Sequence, residues 1–177
     1  MHESILIAGS GGQGILFTGT VLAQAALRSG KEVSFFPSYG AEIRGGTANC
    51  SVIISDEQIG SPIVQYPDNM IIMNPMSLAR FIKRLTADGN LVIDTSIIKE
   101  KPQLNDVQIT EVPASEIAQK ELKNKKVANM IILGAFVKVK KLFSKEIFEE
   151  VLDGMFNGRQ DIISLNKKAF TKGYHGT

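Results

Sequence analysis

A chain of 177 residues, 44% hydrophobic and 21% charged, with a mean hydropathy near zero, has the composition of a folded soluble domain, which excludes a disordered or fibrous protein. Its net charge of +2 is too small to attract nucleic acid by bulk electrostatics, although residues 91–177 carry +3 and residues 1–90 carry −1. Cys50 is the one cysteine, so the chain holds no internal disulfide and no cysteine-ligated iron–sulfur cluster or structural zinc of its own; redox chemistry has to be borrowed.

This length predicts one domain, 1–177. The opening apolar run, Ile5-Leu6-Ile7-Ala8, is too short for a signal sequence, and no stretch reaches the roughly 18 apolar residues of a membrane span, so a cytoplasmic protein with no membrane partner is expected. Residues 4–8 read as a buried strand and 14–29 as a helix closed by Gly30. Residues 32–36 follow as a β-favouring run before Pro37, completing a βαβ unit. Residues 37–46, broken by a proline and three glycines, read as an irregular loop. Strands are expected at 47–55, 70–73, 91–94 and 107–112, with a turn at 56–61 and a helix from Pro75 to about Leu85. Helices are expected at 115–122, 127–141, 144–156 and 161–172, with Ser144 as an N-cap. Strands alternating with helices, then helices alone, describe an α/β three-layer domain with a mostly parallel sheet and a helical C-terminal extension. The charged run at 120–126 reads as a solvated helix end and loop, with a docking surface as the alternative.

Gly9-Ser10-Gly11-Gly12-Gln13-Gly14 fits G-x-G-x-x-G and sits between a predicted strand and a predicted helix, where the pattern has a mechanism. Gly9 permits the tight turn, Gly11 lets backbone amides approach a phosphate, Gly12 adds a second bare amide, and Gly14 allows the helix to pack closely, with the helix N-terminus beside the anion. The same residues also suit a plain strand-to-helix turn that holds nothing. An NAD site needs an acidic residue at the end of the second strand. That strand ends Phe35-Phe36-Pro37-Ser38, with Glu32 at its start. A nicotinamide dehydrogenase is therefore disfavoured, and a phosphate-bearing ligand such as coenzyme A, or a partner's loop, remains open.

In the second loop, Tyr39 offers a flat face with a polar tip, Arg44 a bidentate fork for carboxylate or phosphate, and Glu42 a group to orient it. A local Glu42–Arg44 ion pair in a surface loop accounts for the same residues. No histidine or cysteine accompanies them, so a nucleophile–base pair is absent.

The glycine turn, followed by Pro37-Ser38-Tyr39-Gly40-Ala41-Glu42-Ile43-Arg44-Gly45-Gly46-Thr47-Ala48-Asn49-Cys50, Ile54-Ser55-Asp56 and Ile59-Gly60-Ser61-Pro62, resembles the gamma subunit of 2-oxoacid:ferredoxin oxidoreductases. The resemblance spans the chain, including Asn129-Met130-Ile131-Ile132-Leu133-Gly134-Ala135, and the wording of Gly45 to Cys50 is most like the 2-oxoglutarate type. It implies a Rossmann-like domain in an enzyme that converts a 2-oxoacid and coenzyme A to acyl-CoA and carbon dioxide, with electrons passing to ferredoxin. It further implies alpha, beta and ferredoxin-like partner subunits carrying thiamine diphosphate, magnesium and the iron–sulfur clusters. The gamma part itself is implied to cap the active site and help bind coenzyme A, with no catalytic residue. Asp88-Gly89 and Asp153-Gly154 lack the preceding glycine of a thiamine-metal Gly-Asp-Gly motif, in keeping with that division. A free-standing nucleotide-binding regulator of Rossmann type is the competing expectation.

Overall fold

The computed structural model describes residues 1–39, 46–156 and 158–176, with Tyr39 described by its backbone alone. A six-stranded sheet runs in the order β2-β3-β1-β4-β5-β6, with β1 His2–Ser10, β2 Glu32–Tyr39, β3 Thr47–Ser55, β4 Asn69–Ile72, β5 Asn90–Asp94 and β6 Gln108–Val112. The apolar run that marks β1 is buried on both faces, as expected of a central strand. β1, β4, β5 and β6 pair in parallel. β3 is antiparallel to both β1 and β2, which leaves β2 running in the same direction as β1.

The expected βαβ unit is present, and its crossover skips a strand, so that β3 lies between β1 and β2. The expected departure from the sheet at Pro37 is corrected. Pro37, Ser38 and Tyr39 continue β2, opposite Cys50, Asn49 and Ala48. Proline is tolerated there because β2 is an edge strand, with one side on which no ladder bond is missed.

The helices are α1 Ile15–Arg28, α2 Pro75–Phe81, α3 Ala114–Lys120, α4 Ala128–Lys140, α5 Lys145–Met155 and α6 Gln160–His175, with a 3-10 turn at Ile82–Arg84 continuing α2. α1 stops in a Schellman motif, in which Lys31 N–H donates to the Ala26 carbonyl and Gly30 N–H to that of Leu27, with Gly30 at φ 72°. Ser144 stands before α5 without making a cap bond to a helix amide. Glu146 serves the first turn instead: its own backbone N–H, then the Ser144 hydroxyl, hold its carboxyl below the usual carboxylate range.

The sheet separates two cores. One face carries Leu6, Ala8, Met70, Ile72, Leu91 and Ile93 under α2. The other carries Ile5, Ile7, Cys50, Val52, Ile54, Ile71 and Val92 under α1 and α4. Residues 128–137 of α4 are all buried, because α6 lies along its outer side. The two helices meet at glycines. A Cβ on Gly134 would stand 2.1 Å from the Phe170 carbonyl oxygen, and one on Gly173 would stand 1.8 Å from that of Ile131. The C-terminal helices thus close the core as an outer layer, sealed by the stacked rings of Phe148 and Phe170 at 4.7 Å.

Candidate functional site at the switch point

The chain leaves β1 through α1 toward β2 on one side of the sheet, and leaves β4 through α2 toward β5 on the other. The carboxyl ends of β1 and β4 therefore form a topological switch point, where open α/β sheets hold ligands in the crevice between diverging loops. Residues 10–14 form one lip and residues 73–75 the other.

Side chains tie the lips together. Ser10 N–H donates to Gln13 Oε1 at 2.6 Å, and Gln13 Nε2 donates to the Met73 carbonyl at 3.0 Å. Asn74 Nδ2 donates to Ser10 Oγ at 2.5 Å, while Asn74 Oδ1 accepts the Ser77 N–H at 2.7 Å and caps α2. Arg80 then reaches from α2 to Thr47 Oγ1 at 2.9 Å, at the start of β3. Gly11 N–H donates to the Gly46 carbonyl at 3.2 Å, so the second loop re-enters the sheet against the glycine turn. Asn74, Arg80 and the bridging role of Gln13 were not singled out by the sequence reading. The Asn74-Pro75 pair, a capping residue followed by proline, was the available signal.

The glycines divide the work differently from expectation. Gly9 is needed because a Cβ would stand 2.6 Å from Gln13 Oε1 and 2.7 Å from Ile15 Cδ1. Gly14, the residue before α1, has φ 75°. Its missing Cβ makes room for Asn129 of α4 rather than for a strand, with Nδ2 only 2.5 Å from where that atom would stand. Asn129 Nδ2 donates to the Gly14 carbonyl and to Thr18 Oγ1, each at 3.3 Å. Its Oδ1 is buried without a partner among the described residues. Close packing of α1 on the sheet falls instead to Gly19, where a Cβ would meet Cys50 Sγ at 2.6 Å and Phe35 at 2.8 Å.

Of the backbone donors in the turn, Gly11 N–H is spent on Gly46 and Gln13 N–H on Ser10, at 3.1 Å. The amide of Gly12 has no acceptor among the described residues. Gly12 is exposed, at φ 92°, with open space around it. α1 has no side-chain cap, so the amides of its first turn are also without one. Tyr39 ends β2 opposite Ala48, at the same edge. Glu42 and Arg44 lie outside the described residues.

Cys50 fits neither nucleophile nor metal ligand. It is buried, its thiol donates to the Ile15 carbonyl at 3.6 Å, and burial pushes its pKa up to about 12 despite a hydrogen bond from the Gly19 backbone. A thiol pKa raised in the folded state favours folding at neutral pH, and that contribution is lost as pH rises from about 9 toward 12. Cys50 is expected to resist alkylation by iodoacetamide at pH 8 until urea unfolds the chain, as followed by mass spectrometry; rapid labelling of the folded protein would contradict this burial. Asp94, at the end of β5, accepts from Ser96 N–H at 3.0 Å, from Ser115 N–H at 3.1 Å and from Ser115 Oγ at 2.5 Å. It ties β5 to the start of α3.

Known proteins resemble this architecture along its whole length. The family described as pyruvate ferredoxin/flavodoxin oxidoreductase matches residues 4–176. The chain is 38% identical over 172 residues to the ketoisovalerate oxidoreductase subunit VorA of Methanothermobacter marburgensis, covering 96% of this chain and 35% of VorA. It thus spans about a third of the length of that relative. Among solved structures, the gamma subunit of a keto/oxoacid ferredoxin oxidoreductase from Geobacter sulfurreducens superposes with a TM-score of 0.83 at 29% identity, covering 97% of this chain and 96% of that one. A 2-oxoglutarate:ferredoxin oxidoreductase from Magnetococcus marinus, solved with 2-oxoglutarate, coenzyme A and succinyl-CoA bound, superposes with a TM-score of 0.88 at 30% identity, covering 97% of this chain and 30% of that one. By sequence and by fold alike, the chain belongs to the pyruvate ferredoxin/flavodoxin oxidoreductase family and is of its gamma-subunit type.

Proposed function

We propose that this chain is the coenzyme A-binding, site-capping part of a 2-oxoacid:ferredoxin oxidoreductase, in which a 2-oxoacid and coenzyme A become acyl-CoA and carbon dioxide and electrons pass to ferredoxin. The observation that carries the reading is the switch-point crevice, where the bare Gly12 amide and the uncapped start of α1 offer donors to a phosphate-bearing group. An NAD site fits poorly. Glu32, the acidic residue of β2, pairs with Ser55 at the opposite edge of the sheet, and β3 occupies the place beside β1 that a dinucleotide fold gives to its second strand.

Thiamine diphosphate and magnesium are assigned to the partners with the iron–sulfur clusters, and a cysteine-ligated cluster does not fit this chain. Its single thiol is buried and protonated, and the described residues contain no group of three or more His, Cys, Asp and Glu side chains able to hold a metal. Those groups belong to the alpha, beta and ferredoxin-like partners. 2-Oxoglutarate is the first substrate to test, because the Magnetococcus marinus structure was solved with it and the Gly45 to Cys50 wording is of that type. A cytoplasmic setting suits a ferredoxin-coupled enzyme, and no described helix is long and apolar enough to cross a membrane.

Calorimetric titration of the assembled enzyme with coenzyme A and with NAD tests the reading. Coenzyme A is expected to bind and NAD to fail. Gly11→Val should weaken coenzyme A binding about tenfold or more, roughly 1.4 kcal/mol. Arg44→Lys should lower kcat/KM by a similar factor, because an ammonium cannot reproduce a bidentate clamp. Equal coenzyme A affinity in wild type and Gly11→Val would remove the glycine turn from the site.

A further inference from the structure

Among the described residues, one face of the sheet at β2 and β3, beside the crevice, has no hydrophobic core under a helix. The core under α2 takes buried residues from β1, β4 and β5 and none from β2 or β3, whereas Val33, Phe35, Cys50, Val52 and Ile54 pack under α1 on the other side. Strand alternation then turns Ser34, Phe36 and Ser38 of β2, with Asn49, Ser51 and the buried Ile53 of β3, to that face. Phe36 lies opposite Ser51, and Ser38 opposite Asn49.

This floor has two walls. On one side Arg80 reaches Thr47, and Met76, one turn earlier on the same stripe of α2, is 61% exposed. On the other side Arg84 donates to the carbonyls of Val64 and Gln65, at 2.5 and 2.8 Å, and fixes the segment after the 56–61 turn. That segment borders a cleft of about 270 Å³ over Ser4 and Ile53, with Ile63 and Tyr66 on its rim. Ile63 is 72% exposed, Tyr66 61% and Phe36 48%. Thus Phe36, Ile63, Tyr66 and Met76 border one face, whereas the exposed Leu27 lies on α1 at the other side of the sheet. A concentration of apolar side chains around small polar groups is the make-up of a protein–protein contact. Pro37 in the edge strand opposes strand addition, so contact is made on the face.

Building on the function proposed above, we propose that this face docks another folded subunit of the same oxidoreductase, the counterpart of the length that VorA carries outside the match. The family fold occupies only 35% of VorA and 30% of the Magnetococcus marinus chain, so those polypeptides hold a large body beside this fold. The face also runs into the crevice: Thr47 and Gly46 adjoin Gly11, and a partner seated there closes the open side of the glycine turn.

The test is co-purification with the partner subunits, together with hydrogen–deuterium exchange of the assembled and isolated chain. Assembly should slow exchange in residues 34–38, 49–53 and 61–66. Ile63→Glu combined with Tyr66→Asp should weaken assembly at least tenfold at unchanged melting temperature, and Phe36→Asp should do the same from the floor. Leu27→Asp, on α1, should leave assembly intact. If wild type joins the complex while these variants join equally well, or if protection appears only around α5 and α6, the face is wrong and the function stands. If wild type joins no such complex, the function reading falls and the docking face falls with it. Self-association of the isolated chain abolished by the same variants, with hetero-assembly untouched, would assign the face to a second copy and overturn the proposal.

Discussion

Gly173→Ala is expected to lower the melting temperature of the chain by about 6–12 °C, or to prevent folding altogether. A methyl group there would stand 1.8 Å from the Ile131 carbonyl oxygen, and the obstacle is helix backbone, which cannot rotate aside as a side chain can. α4 and α6 would have to separate along a contact that also contains Gly134 against the Phe170 carbonyl, and α4 is itself the buried layer on the sheet. Overpacking of this kind costs about 3 kcal/mol or more, at about 2–4 °C per kcal/mol in a chain of this size. Gly154→Ala supplies the contrast. Gly154 lies inside α5, and its Cβ would approach only the end of the Arg28 side chain, at 3.2 Å. Alanine should stabilise that helix by about 0.5–1 kcal/mol. Thermal unfolding of both variants by circular dichroism decides. A melting temperature for Gly173→Ala within 2 °C of wild type would mean that the helices do not cross at these glycines.

Gln13→Ala carries the second large effect, and it falls on function more than on stability. The Gln13 carboxamide accepts from Ser10 and donates to Met73, so it fixes the spacing of the two lips. Its loss leaves a part-buried N–H and a part-buried carbonyl unpaired, at about 1–3 kcal/mol. It also frees the turn carrying Gly12. In the assembled enzyme the KM for coenzyme A should rise about tenfold or more, with the KM for the 2-oxoacid little changed. Gln13→Glu should be poor as well, since a carboxylate cannot donate to the Met73 carbonyl. An unchanged KM for coenzyme A in both variants would show that the crevice does not hold it.

Much of this was legible beforehand, for reasons that differ by element. Residues 47–55 read as a strand on the apolar run Val52-Ile53-Ile54, and β3 occupies those positions. The α1 stop was visible in Gly30. Sheet order was not, because a strand's pattern records how many of its faces are buried and not which neighbour lies beside it. A strand–glycine turn–helix–strand run looks the same whether or not another strand later slides between its ends. Pro37 misled for a related reason: it marks a strand's end in a sheet centre but not on an edge. At the site, the spacing located the glycine turn and left its wiring hidden. Gly14 looked like a helix–strand contact, yet its space is filled by Asn129, 115 positions away. That contact explains why the Asn129 to Ala135 stretch belongs with the glycine turn: Asn129 fits against Gly14, and Gly134 admits α6.

The most direct measurement is reconstitution with 2-oxoglutarate, coenzyme A and a viologen acceptor, using this chain and its partner subunits separately and together. The purified chain alone is expected to carry neither iron nor thiamine diphosphate and to reduce no viologen. Adding it to partner subunits prepared without it should restore reduction that depends on coenzyme A. Stoichiometric iron or turnover with this chain alone, or full coenzyme A-dependent activity of the partners without it, would contradict the account.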